Sequence, residues 1–213
     1  MNTNKPHALT FIMALLLSLG VLSGCTIYPI TDGFHHSLPQ PNTRIVIWGN
    51  DPVVTGTATT WLQKRGLRVV ERARLMQIFD EQHIRLTHSH DDEAPILRVG
   101  KILGAGVVIF IDGSATAGVQ SSYSVNRYGG GGGSQSVYSG AVSIRGVDVE
   151  TSEVLWSGNA RLPRQTGGSP EDALTKLTCQ ALATAWGFRP AGDQKIESQS
   201  MCAVGERPVP SAP

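Results

Sequence analysis

Val107-Val108-Ile109-Phe110-Ile111 is the most apolar stretch of the chain beyond its N-terminal segment. A short run of β-branched and aromatic residues of this kind is typical of a central strand that is buried on both faces. The residues before it, Ile96, Val99, Ile102 and Leu103, recur at helical spacing and end at Gly104. The sequence therefore predicts a helix whose inner face holds these four side chains and which leads directly into the central strand.

Similar patterns on both sides of this stretch predict the rest of the domain. Asp51-Pro52 and Ser169-Pro170 each combine a capping side chain with proline at the first helical position, and so predict helix starts. Leu75, Ile78 and Phe79 mark a further short helix. Strands are predicted near residues 44–48, 67–71, 142–149 and 153–156. The resulting order, β-α-β-α-α-β-β-β-α, predicts one α/β domain over residues 44–188, with a mixed sheet flanked by helices.

The N-terminus has the pattern of an export signal. Lys5 precedes an apolar run over residues 8–17, which is too short for a permanent membrane span. Leu22-Ser23-Gly24-Cys25 resembles the lipobox of bacterial lipoproteins. That resemblance implies that residues 1–24 are removed and that Cys25 carries lipid, which anchors the chain to a membrane. An aspartate after the lipidated cysteine retains lipoproteins at the inner membrane. Thr26 stands in that place, which implies that the protein is located at the periplasmic face of the outer membrane.

Proline, glycine and histidine interrupt any periodicity after Cys25, so residues 25–43 are expected to form an extended tether. Residues 189–213 are rich in Gln, Ser and Pro and are expected to be a disordered tail. Cys179 and Cys202 remain after Cys25 is lipidated. In an oxidising periplasm the two could form a disulfide, or Cys179 could be a buried thiol and Cys202 a free one.

Residues 114–140 differ in composition from the rest of the domain. They are rich in Gly, Ser and Tyr and contain the unbroken run Gly129 to Gly133, which predicts an inserted hairpin with a glycine tip. Ser121 interrupts the alternating apolar face of the first strand, and Arg127 lies on it. Six side chains of the insertion are candidates for contact with a membrane or a partner: Val119, Tyr123, Val125, Tyr128, Val137 and Tyr138.

Three groups of residues resemble the CsgG family of curli-secretion lipoproteins and its relatives, the LpoB-type lipoproteins and the TolB N-terminal domain. They are residues 66–72, with Leu75 and Asp80-Glu81-Gln82; residues 100–105, with the apolar strand ending at Gly113; and residues 142–155, where Ser152 replaces the usual turn glycine. The resemblance implies the same α/β fold. In that family two inserted hairpins per subunit build an outer-membrane channel, but the interval between Trp156 and Ser169 is too short for the second.

Several other kinds of function find no support in the sequence. A net charge of +1 and a pI of about 7.8 give no indication of a nucleic-acid partner. His88, His90 and Asp91-Asp92 are interpreted as a polar loop rather than a metal site, and the glycine run lacks the ending of a phosphate loop. No catalytic set stands out, so neither enzymatic activity nor a cofactor is predicted.

Three functions stay open on these grounds. The first is an assembly or secretion component of CsgG type, which acts as a homo-oligomer. The second is an LpoB-like regulator that binds and activates a peptidoglycan synthase. The third is a solute-binding module, which would require a pocket with convergent polar groups.

Overall fold

The computed structural model describes residues 29–81, 93–127, 129–166 and 168–188. Four helices and six strands lie in this part of the chain. The helices are α1 (Pro52–Lys64), α2 (Arg72–Glu81), α3 (Glu93–Ile102) and α4 (Pro170–Ala185). The strands are β1 (Ile30–His35), β2 (Arg44–Gly49), β3 (Arg68–Val70), β4 (Val107–Asn126), β5 (Gly129–Asp148) and β6 (Val154–Thr166).

The strands form one mixed sheet in the order β1-β6-β5-β4-β2-β3. Strand β2 is parallel to both β3 and β4, whereas β4, β5, β6 and β1 are successively antiparallel. The predicted central strand, residues 107–111, lies between β2 and β5, as its apolar composition requires. The predicted fold class, an α/β domain with a mixed sheet flanked by helices, is confirmed.

The two faces of the sheet carry two separate cores. Helices α1 and α4 cover one face, where the side chains of Trp61, Ile109, Trp156 and Leu177 are buried together. Helices α2 and α3 cover part of the other face, where a smaller core contains Val108. Because side chains alternate along a strand, β4 contributes Ile109 and Ile111 to the first core and Val108 and Phe110 to the second.

Both predicted helix starts have the expected capping geometry. The carboxylate of Asp51 accepts hydrogen bonds from the backbone N–H groups of Val53 and Val54, at 2.8 and 3.1 Å. The Ser169 hydroxyl accepts one from the N–H of Asp172 at 3.1 Å. These bonds satisfy backbone donors that have no partner within the helix, which is why the sequence located both starts correctly.

The apolar face predicted for α3 is partly wrong. Ile96 and Val99 are buried, but Ile102 is 47% exposed. Ile102 is the last residue of the helix and its side chain lies outside the small core, whereas Leu103 after it packs against that core.

The prediction of an extended tether over residues 25–43 is corrected by the structure. Residues 30–35 form the edge strand β1, which pairs with β6 from Ile30–Arg161 to His35–Trp156. The sheet therefore begins at Ile30 and not at Arg44. The sequence did not indicate this strand because it contains Gly33 and exposes most of its side chains, which removes the apolar alternation.

Two glycines allow α4 to pack directly on β1 and β6. A Cβ atom at Gly33 would lie 2.8 Å from the Thr184 methyl group, and one at Gly158 would collide with the carbonyl oxygen of Ala181. The helix backbone thus rests on the strand backbone with no side chain between them. This close contact holds the N-terminal strand against the domain.

We predict that Gly158→Ala lowers the free energy of unfolding by about 1–3 kcal/mol, because the added methyl group must push α4 off the sheet. Gly56→Ala is the matched control. Gly56 lies inside α1, and an added Cβ there would meet nothing within 4 Å, so alanine should stabilise the helix by about 0.5–1 kcal/mol. Urea denaturation followed by tryptophan fluorescence measures both changes. Equal effects of the two substitutions would contradict the packing described.

Candidate functional site

A two-stranded ribbon projects from one end of the sheet. Strands β4 and β5 pair over their full lengths, from Val107–Asp148 to Asn126–Gly129. Strand β2 stops pairing with β4 at Ile111, and β6 stops pairing with β5 at Val137. Beyond that level, residues 119–126 and 129–136 pair only with each other within the described chain. The ribbon is about 24 Å long, at about 3.4 Å per residue.

Three of the predicted contact residues lie together on one face of the ribbon. Val119, Tyr123 and Val125 are 70%, 74% and 74% exposed. Strand alternation places them on the same side of the sheet as Ala115, whereas Gln120 and the serines at 122 and 124 occupy the opposite side. Ser121 and, from β5, Ser134 and Ser136 share this side, so the apolar face is interrupted by hydroxyl groups. The face is open to solvent. That these residues contact a membrane or a partner stays a prediction.

Val137 and Tyr138, the other two described contact candidates, are not available for contact. They are only 8% and 5% exposed, and Tyr138 is part of the core beneath α1 and α4. Burial raises the pKa of the Tyr138 hydroxyl, and the negative charge of Asp172 raises it further. The prediction for these two residues is thus wrong: both lie on the part of β5 that pairs with β6, and Tyr138 also packs in the core on the α4 side of the sheet. Tyr128 lies outside the described residues.

The glycine run is not the tip of the hairpin. Gly129 to Gly133 form the first part of β5 and pair with residues 122–126 of β4. The Tyr123 ring lies over this strand, since a Cβ at Gly130 would collide with the ring and one at Gly132 would lie 3.3 Å from it. The aromatic ring covers backbone that glycine leaves bare, which offsets part of the cost of ordering glycine in a strand.

The remaining predicted site residues are only partly within the described chain. Cys25 and Cys202 lie outside it, as do His88, His90, Asp91 and Asp92. Cys179, on α4, is disulfide-bonded, and its pairing with Cys202 stays a prediction. Over the described ranges, no group of three or more His, Cys, Asp or Glu side chains could hold a metal ion. In the same part of the chain, no helix is both long and apolar enough to cross a membrane.

We predict that Tyr138→Ala lowers the free energy of unfolding by about 3 kcal/mol, because it removes a buried aromatic ring. Tyr123→Ala is the matched control and should change stability by less than about 0.5 kcal/mol, since the ring is exposed on the ribbon. Chemical denaturation of both variants tests the division between core and ribbon. A large loss of stability in Tyr123→Ala would show that the ribbon is part of the folding unit.

Comparison with known proteins identifies the domain. Residues 58–162 match the family model described as "curli production assembly/transport component CsgG". No curated protein sequence matches the chain. Among solved structures, the PelC dodecamer from Paraburkholderia phytofirmans is 14% identical, with a TM-score of 0.43, over 74% of this chain and 97% of that one.

Two further solved structures give similar values. Lipoprotein GNA1162 from Neisseria meningitidis is 21% identical, with a TM-score of 0.40, over 63% of this chain and 90% of that one. The LpoB C-terminal domain from Salmonella enterica is 15% identical, with a TM-score of 0.41, over 60% of this chain and 87% of that one. The match of residues 58–162 to the CsgG family model agrees with the resemblance that the sequence motifs indicated.

Proposed function

We propose that the protein is an outer-membrane-anchored periplasmic lipoprotein of CsgG type that acts as a non-catalytic assembly or secretion component of the cell envelope. The observation that carries this proposal is the projecting ribbon, with Val119, Tyr123 and Val125 exposed on one face. A surface of valine, tyrosine and glycine offers contact area and backbone hydrogen bonds rather than groups for acid–base or nucleophilic chemistry. The family's description as an assembly and transport component agrees with such a role.

The position of β1 supports a site of action at the membrane. Ile30 lies level with Arg161, Ala141 and Ser114 across the sheet, five residues along β4 before the ribbon begins at Val119. A lipid at Cys25 would be five residue steps away, a distance of at most about 18 Å. From Ser114 to Asn126 the hairpin extends for about 40 Å. An anchor this short holds the ribbon within reach of the bilayer.

The free edges of the ribbon support assembly with other strands. Beyond Ile111 and Val137, the outer edges of β4 and β5 have no neighbouring strand in the described chain. Unpaired edge groups can bond to a strand from another molecule. We propose that a second copy of this chain supplies that strand, which makes the functional form a homo-oligomer.

A second candidate function is an LpoB-like regulator that binds and activates a peptidoglycan synthase. It is favoured by one feature of β6. Residues 154–166 form a single continuous strand, so the interval after Trp156 holds no second inserted hairpin. A subunit with one hairpin supplies half of the strands that the family's channel-forming members use. In this alternative the ribbon contacts a different protein, and the lipoprotein itself is a monomer.

We predict that deleting residues 119–136 and joining Gly118 to Val137 through Asn-Gly leaves the melting temperature nearly unchanged. The deleted side chains carry little of the core, and the join falls on the paired residues Gly118 and Val137, which a two-residue turn can connect. The detergent-extracted wild type should have the mass of an oligomer, and the deletion variant that of a monomer. Light scattering measures both.

Two triple variants test which face of the ribbon is used. Serine at positions 119, 123 and 125 should reproduce the loss of assembly. Alanine at positions 120, 122 and 124, on the polar face, is the matched control and should assemble normally. A wild type that is already monomeric would contradict the homo-oligomer and favour the LpoB-like regulator. In that case the first triple variant should weaken binding of the protein to a peptidoglycan synthase.

We predict that Cys25→Ala leaves the protein soluble or as an unprocessed precursor, because the lipobox-like sequence then has no thiol to acylate. Membrane fractionation with mass spectrometry of the N-terminus measures this. Cys202→Ala is the control and should fractionate like the parent. Outer-membrane recovery of processed Cys25→Ala would overturn the anchoring proposal.

A further inference from the structure

Three arginines line one hollow at the end of the sheet opposite the ribbon. Arg44 begins β2, Arg68 begins β3, and Arg74 lies in the first turn of α2; together they surround a space of about 600 Å³. Arg44 and Arg68 are direct neighbours on adjacent parallel strands. Because Val46 and Val70, two residues further along, belong to the core beneath α2 and α3, alternation places both arginines on that face.

The charges in this hollow are not balanced. Among its described lining residues the only carboxylate is that of Glu71, which leaves a net excess of positive charge there. Within the described ranges none of the three arginines forms an ion pair, since the pairs found there join Lys101 to Glu150 and Arg145 to Glu93. Like charges on neighbouring strands destabilise a sheet. All three side chains are exposed, so water screens part of this repulsion, and an anion in the hollow would relieve the remainder.

The guanidinium groups are held in place by hydrogen bonds. Arg44 Nη1 donates to the Leu103 carbonyl and Arg68 Nε to the Asn42 carbonyl, each at 2.8 Å. Arg74 Nη1 donates to Gln77 Oε1, also at 2.8 Å. A guanidinium has five N–H donors, so each retains four for a ligand. Donors fixed in advance lose less side-chain entropy on binding than mobile ones.

The fixed bonds also have a purely structural interpretation. Arg44 caps the end of α3 through Leu103, and Arg68 secures the turn at Asn42. This accounts for one donor of each arginine. It does not account for two like charges side by side on adjacent strands, or for Arg74 at the same hollow.

We propose that this hollow is a binding site for an oxyanion, either the carboxylate of an acidic protein segment or a phosphate group. Arginine binds both through parallel N–H···O bonds to two oxygens, and charge-assisted bonds of this type are the strong ones. The half-buried side chains of Val70 and Leu103 form an apolar floor beside the charges. The site is separate from the ribbon and does not depend on the function proposed for it.

Calorimetric titration of the full chain in an uncharged detergent tests the site. Two probes are used: inorganic pyrophosphate and the peptide acetyl-Glu-Leu-Glu-amide. At least one should bind, with an affinity that falls as salt is added. Arg68→Gln and Arg74→Gln should each weaken binding by on the order of tenfold, the effect of losing a charged hydrogen bond. Arg68→Lys should weaken it less than Arg68→Gln, because the charge is kept and the planar fork is lost.

Arg164→Gln is the matched control, because Arg164 is an exposed arginine on β6 away from the hollow; it should bind like the wild type. Binding of the peptide alone would identify a protein segment as the source of the oxyanion. Binding of pyrophosphate alone would identify a phosphate as the source. Either result supports the site. Failure of both probes, or equal affinities in Arg74→Gln and Arg164→Gln, would overturn it. Within the described residues, the Arg74 side chain donates a hydrogen bond only to Gln77 of the same helix. Thermal unfolding verifies that each variant is folded.

Discussion

The antiparallel pairing of β4 with β5 is the interaction on which the rest of this structure depends. Twenty residues of each strand pair without a break from Val107–Asp148 to Asn126–Gly129. The lower half of this ladder lies in the middle of the sheet and carries side chains of both cores. The last eight pairs, from Val119–Ser136 to Asn126–Gly129, continue the same register into solvent, where no other strand of the described chain lies beside them. The domain thus fixes the direction of the ribbon, because the ribbon is an extension of strands already held by the core.

The contact of α4 with β1 and β6 adds a second constraint. Gly33 and Gly158 allow helix and strand backbones to approach without intervening side chains, so the N-terminal strand is packed into the domain. This shortens the segment between Cys25 and the folded domain from nineteen residue steps, as the sequence indicated, to five. A shorter segment restricts how far an anchored domain can move from the membrane. The packing of one edge strand therefore bears directly on where the ribbon can act.

The two ends of the molecule have different chemistry. The ribbon end exposes Val119, Tyr123 and Val125 and the edges of two strands, which favours contact with strands or with apolar surroundings. The opposite end exposes fixed guanidinium groups, which favour anions. Under the proposed functions, the two ends could engage two different partners at once. The sheet separates the two sites by its own length, so occupation of one leaves the other accessible.

The sequence by itself determined the elements whose signal is local. The apolar run at residues 107–111, the caps at Asp51 and Ser169 and the helical spacing in α1 and α4 each depend on neighbours within a few residues, so their positions could be predicted. The family motifs then gave the α/β fold. Tertiary structure alone decided three other features: that residues 30–35 join the sheet, that Tyr138 is buried while Tyr123 is exposed, and that Arg44 and Arg68 are neighbours. Each depends on which strand lies beside which, and on where a helix ends over the sheet. Those relations join residues far apart in the chain, and periodicity within a single segment carries no information about them.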